Sequence, residues 1–244
     1  ATIDGQFVAM YGMEWGVISS GGHMLVYGFD SLCGWDFGPQ EIYVPEADYT
    51  KLYSVINRKH NSFAYMAHPQ NDDYNNLLNQ TYNANADAAI VGMAMRSGPA
   101  FSTNSSYSNP TTSNYLSRYN DALKRGYHVG PGIDHDTHNS VFGRQTAARL
   151  VVLAPLLNRS EIYNAFRQSR FYASDDWNVE VTFTIQNQAM GSIITNAGNP
   201  TLNVSINDPD GENISSIAVY SGVAGSGNTA TQLTSVNSTS NLTY

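Results

Sequence analysis

The sequence predicts an α/β protein, a parallel barrel or open sheet, followed by a small antiparallel β module. Three observations predict it. Apolar strand-like runs alternate with helix-like stretches up to about Asn178. The residues able to do chemistry fall at the C-terminal ends of those strand-like runs, where parallel α/β architectures place their sites. Beyond Asn178 the pattern becomes a two-residue alternation of apolar and polar side chains, the mark of a half-exposed antiparallel strand. The expected division is therefore residues 1–178 and residues 179–244.

In chain order, residues 7–11 and 24–29 read as strands. Pro45 suits the first turn of a helix reaching Lys59, with Leu52, Val55 and Ile56 on one face. Residues 62–67 form a short buried strand that delivers His68, and residues 88–95 form another. Residues 98–113, rich in Ser, Asn and Pro, read as a long loop. A helix over 114–125 stops at Gly126. Residues 127–133 and 150–154 are strands, and 161–169 is a helix with Ser160 as N-cap. In the module, 179–185, 201–206 and 217–220 are strands, with Asp208-Pro209-Asp210-Gly211 as a turn. Three or four strands are too few to close two sheets, so the module is expected to be incomplete. The tail over 221–243 is low-complexity, a linker or weak strands.

Composition narrows the function classes. Sixteen Tyr against twelve Lys plus Arg, with Asn, Ser, Thr and Gly abundant, describe an ordinary core under a polar, uncharged surface. A net charge of −8 gives no basic footprint for extended nucleic-acid binding. The apolar runs are too short for a membrane span. The single cysteine, Cys33, excludes an internal disulfide framework. Scarce lysine and the Ser/Thr/Asn-rich tail suggest a secreted or periplasmic protein, and the start at Ala1 is what a mature N-terminus would look like.

Four of the six histidines fall in three short segments: Gly12-Met13-Glu14-Trp15 with His23, Ala67-His68-Pro69, and Gly132-Ile133-Asp134-His135-Asp136-Thr137-His138. Imidazole and carboxylate together suit zinc, manganese or iron. Glu14 is placed to bridge two ions, although alone it would read as a surface residue. His23 follows two glycines at a strand's start, and a structural histidine fits it equally well. His68 ends a strand before a proline that favours extended backbone. Asp136 and His138, two apart in an extended loop, would point to the same side and reach one ion. Against Asx-turn capping, two histidines in the same loop favour ligation. Asp134 and His135 are candidates to orient those ligands, and Arg144 to hold an anionic substrate. No Gly-X-Ser-X-Gly elbow, phosphate-binding glycine loop or base partner for Cys33 is present.

The order Gly12-Met13-Glu14, Gly22-His23, His68-Pro69, Asp136-Thr137-His138 resembles the PHP (polymerase and histidinol phosphatase) metalloesterases. The stretches around 142–154, 170–176 and Met190-Gly191 are similar to their carbaryl hydrolase-like branch. The resemblance implies a distorted (β/α)7 barrel with two or three divalent ions (Zn, Mn or Fe) and a metal-bound hydroxide attacking the ester. It further implies Glu14 as the bridging carboxylate, His23 and His68 as ligands, and Asp136 and His138 sharing one ion. It also implies a His-X-His on the first strand. No histidine precedes His23, so that strand is expected to be missing by truncation or the ligands to be lost. His135 stands where relatives more often carry an amide.

The expected function is a metal-dependent phosphoesterase acting on small phosphate mono- or diesters, with Glu14, Asp136 and His138 in the catalytic group. A carboxylic or carbamic ester hydrolase on the same site is the second reading. A non-catalytic extracellular binding or structural protein that lost its metals is the third.

Overall fold

The computed structural model describes residues 2–17, 21–35, 42–196 and 198–244. Its first sheet starts with a hairpin. Strand β1 (Gly12–Trp15) runs antiparallel to β2 (Met24–Tyr27), setting Glu14 opposite Leu25 and Trp15 opposite Met24. Residues 7–11, expected as the first strand, contribute only the isolated Ile3–Phe7 bridge. Strands β3 (Cys33–Gly34) and β4 (Ile42–Tyr43) make a small parallel pair. Helix α1 (Tyr49–Arg58) starts four residues later than Pro45 suggested. Asp48 caps it, accepting from the Lys51 N–H at 2.9 Å, while the Pro45 carbonyl is used in the preceding turn.

Strand β5 (Phe63–Met66) lies antiparallel to β2. The segment α2 (Asp73–Asn76) is a single left-handed turn, with φ of 59°, 56° and 62° at Tyr74, Asn75 and Asn76. Asn tolerates this region better than most residues, which lets the turn exist. Helix α3 (Ala84–Ala89), capped by Asn83, leads into β6 (Ile90–Ser97). The two-residue β7 (Ser113–Asn114) pairs with the end of β6, and α4 (Leu116–Arg125) stops at Gly126 with φ 103°. Strand β8 (Gly130–Ile133) is parallel to β6, as β6 is to β5. Strands β9 (Arg149–Val152) and β10 (Phe171–Ser174) pair antiparallel around α5 (Arg159–Arg167). Asn158, not Ser160, caps α5, accepting from the Glu161 N–H at 2.8 Å.

Alternation along the strands divides the core between the sheet's two faces. Ala64, Met66 and Ile90 turn to one side, with Leu52, Tyr53, Ala86 and Ala122 of the three helices α1, α3 and α4. Phe63 and Val91 turn to the other, against Tyr163 and Phe166 of α5 and Phe171 of β10. A Cβ at Gly92 would meet the Phe171 ring at 2.9 Å, so the missing side chain there lets β10 approach.

The β module has its own core. Strands β11 (Glu180–Ile185), β12 (Gln188–Ala189), β13 (Leu202–Asn207) and β16 (Asn241–Thr243) form one sheet, and β14 (Ser216–Ser221) and β15 (Thr231–Asn237) another. Leu202, Ile217, Val219 and Leu242 are buried between them. The low-complexity tail thus supplies two strands.

The expected (β/α)7 barrel is not formed. Among the described residues there are five helical segments, one of them the left-handed turn, and the strands are divided among several small sheets. The main sheet is open, mixed and six-stranded, in the order β1-β2-β5-β6 with both β7 and β8 paired to β6, and only β5, β6 and β8 are mutually parallel. The cause lies in the connections. Eight residues, Gly16 to His23, join β1 to β2. A parallel crossover needs about a dozen or more, so a hairpin forms. Among the described residues no helix is long and apolar enough to cross a membrane.

Candidate metal centre

Three strand ends meet where the sheet changes from antiparallel to parallel. Glu14 lies within β1, His23 immediately precedes β2, and His68 follows β5 by two residues. The Ala67 N–H donates to the His23 carbonyl at 3.2 Å, continuing the β2–β5 ladder and holding the two histidine segments side by side.

Tyrosines and a strained backbone fix this corner. The buried Tyr74 donates its hydroxyl to the Ala67 carbonyl at 2.8 Å and its N–H to the Gly21 carbonyl at 2.6 Å. Tyr49, also buried, donates to the Gly22 carbonyl at 2.5 Å. Gly22 (φ 89°) lies so close to the Asp73 carboxylate that a Cβ would collide with it. His68 itself has φ 27°, not the extended backbone expected before a proline. Left-handed non-glycine residues persist only where surrounding contacts over-determine them, and they concentrate at functional sites.

The side chains converge. His23 Nδ1 stands 2.7 Å from Glu14 Oε1, His68 Nε2 3.5 Å from the same oxygen, and the two ring nitrogens 3.2 Å from each other. Ligands about 2.0–2.1 Å from zinc at tetrahedral angles are about 3.3 Å apart. The observed edges bracket that value, so the donor set fits one face of such a polyhedron. The His68 hydrogen bond holds the Glu14 carboxyl below its usual range, against burial and with help from His23. The same bond raises His68, burial opposing it.

The Asp134–His138 segment is nearby but outside this trio. Asp136 has φ 53°, so the extended geometry expected for Asp136-Thr137-His138 is absent. His138 Nδ1 lies 2.7 Å from the Asp136 carbonyl oxygen and 3.7 Å from its carboxylate. Burial raises the Asp136 carboxyl, and the charges of His68, Glu14, His138 and His23 all reach it. Asp134 is placed more deeply. Its Oδ1 accepts from Ser97 Oγ, while its Oδ2 is sealed from solvent without a hydrogen-bond partner. Burial pushes this carboxyl up to about 6. An orphaned buried carboxylate oxygen beside a cluster of metal-type ligands is what a nearby cation would offset.

The expected orienting residue His135 and the expected substrate-binding residue Arg144 are placed otherwise. His135 Nε2 contacts Thr146 Oγ1 at 3.0 Å and the Ala148 carbonyl at 3.2 Å, and burial lowers its pKa. It braces the loop rather than the trio. Arg144 is exposed, and its carbonyl accepts from the Ser106 N–H. Sequence reasoning missed the supports Tyr49, Tyr74, Asp73 and Ser97; nothing in local spacing announces contacts such as Tyr49 to Gly22, 27 residues apart, or Ser97 to Asp134, 37 apart. An apolar hollow of about 480 Å³ lies elsewhere, lined by Tyr119, Phe171, Val181, Phe183, Val204 and Ile217 among others.

No protein-family model, no curated protein and no solved structure matches this chain.

Proposed function

We propose that the protein is a metal-dependent hydrolase of small esters, with Glu14, His23 and His68 holding a divalent cation. The observation that carries the reading is the convergence of three ligand atoms at 2.7, 3.2 and 3.5 Å on a braced corner of the sheet. A carboxylate with two imidazoles, leaving a position open, is a donor set of catalytic rather than structural zinc. Such an ion would supply Lewis acidity and a water of lowered pKa. Around it, the chain's own residues divide the work. Glu14 and the imidazoles would hold the ion, and the partly buried Asp136, whose carboxyl feels the charges of all three, would take a proton from an attacking water. His138, half exposed beside Asp136, would serve as the acid for a departing group. Phosphate esters are the first substrate class and carboxylic or carbamic esters the second. With a net charge of −8, an anionic substrate depends on the cation for attraction.

Elemental analysis of the purified chain, followed by a panel of phosphomonoesters, phosphodiesters and carboxylic esters, tests this. At least one tightly held zinc, manganese or iron per chain and hydrolysis lost on Asp136→Ala are expected. An empty chain in metal-replete medium, or unchanged hydrolysis in that variant, would sink the reading and favour a binding protein.

A further inference from the structure

The loop over residues 98–113 carries Phe101, 78 % exposed, with its ring centroid 4.8 Å from that of His138 and tilted by 33°. A large apolar ring left in water is ordinary on a mobile loop, but this loop is pinned. The buried Gln145 amide donates to the carbonyls of Pro99, Ala100 and Ser102 at 2.9, 3.3 and 3.0 Å. Asn139 Nδ2 also donates to the Ser102 carbonyl, and the His138 N–H donates to the Ala100 carbonyl at 3.0 Å. Thr137 Oγ1 donates to Gln145 Oε1, which sets the orientation of that amide. The backbone on both sides of Phe101 is therefore held by the segment bearing Asp136 and His138. A buried side chain spends its hydrogen bonds on presenting this ring.

We propose that Phe101 is a specificity-determining residue whose exposed ring face stacks on an aromatic group of the substrate, making aryl esters the preferred class. The inference rests on the hydrolase reading above. His138, the ring's neighbour, has its Nδ1 3.7 Å from the Asp136 carboxylate that the hydrolase reading makes the base, so a group seated on Phe101 would lie on that side of the site. The ring offers no hydrogen bond, so it selects by shape and π-surface. Offset aromatic pairs contribute beyond their buried area, enough for roughly a tenfold preference.

The test compares phenyl and ethyl esters of the same acid, for both phosphate and acetate, in the unaltered protein, Phe101→Ala and Phe101→Trp. Expected is a phenyl-over-ethyl ratio of kcat/KM that falls about tenfold in Phe101→Ala, chiefly through KM, and is kept in Phe101→Trp. The ratio is corrected for the leaving groups' different reactivity by the same comparison in hydroxide solution. Hydrolysis with the ratio unmoved by Phe101→Ala would overturn this inference and leave the hydrolase reading standing. No hydrolysis of any ester by metal-loaded protein would overturn both. Because Phe101 is exposed, its replacement leaves the fold intact, and a circular dichroism melt verifies that.

Discussion

Glu14, His23 and His68 bring their ligand atoms within 4.8 Å of one another, and so do Asp176, Asp208 and Glu212 near the β module. The two groups are differently made. In the second, Asp176 Oδ1 accepts from the N–H groups of Asn178 and Val179, both at 2.8 Å, and Asp208 Oδ1 from that of Asp210 at 2.9 Å. These two oxygens cap turns and are already engaged by the backbone. In the first, the short contacts run between the ligand atoms themselves, on a corner fixed by buried tyrosines. Proximity gathers both groups. What separates them is where the lone pairs go.

The sharpest way to break this contrast is to remove one ligand from each group. Glu14→Gln keeps the shape and is expected to lower zinc affinity by more than about 100-fold, beyond the loss typical of an outer residue. Asp208→Asn is expected to leave it unchanged, with titration calorimetry deciding. Equal losses would make the two groups equivalent. Asp134→Asn ranks next. A buried carboxylate that offsets the cation from one layer out should cost about 10–100-fold in affinity when neutralised. An unaltered affinity would mean that its orphaned oxygen serves something else.

Stability probes the bracing that only the first group has. Tyr74→Phe leaves the buried Ala67 carbonyl without its donor, and about 1–3 kcal/mol of unfolding free energy should be lost in urea titrations. A change near zero would show that the corner holds without Tyr74. The smallest expected effect concerns Cys33, buried in the core. Burial pushes its thiol up to about 11, leaving roughly one molecule in a thousand as thiolate at pH 8. Alkylation at that pH should be very slow in the folded protein, and Cys33→Ser should not alter zinc binding. Rapid labelling would show that solvent reaches the Cys33 thiol in the folded protein.

Periodicity made much of the first sheet legible. The strands at residues 62–67 and 88–95 appear as β5 and β6 with shifted ends, and the helix ending at Gly126 appears as α4. Periodicity carries no strand polarity, however, which is why alternating strands and helices read as a barrel. The eight-residue link before His23 held the needed clue. Strands β15 and β16 were obscured because Ser, Thr and Asn fill both their faces. At the site, His23 and His68 stand at strand ends as the sequence suggested. Asp136 departs because a left-handed aspartate is permitted but not announced by its neighbours. The tyrosine bracing was illegible for a different reason: two of its contacts, Tyr49 to Gly22 and Tyr74 to Gly21, join residues distant in sequence.

The hairpin of β1 and β2 also ties the chain's solubility to its chemistry. Trp15, 1 % exposed and packed at 5.3 Å against Tyr49, and Glu14 occupy adjacent positions on opposite sides of one pleat. Deleting or inserting a single residue between Trp15 and Met24 that slipped the pairing by one would exchange them. The indole would then face water and the carboxylate the core. A frame error of that kind gives a chain that fails to fold, not a folded but inactive one.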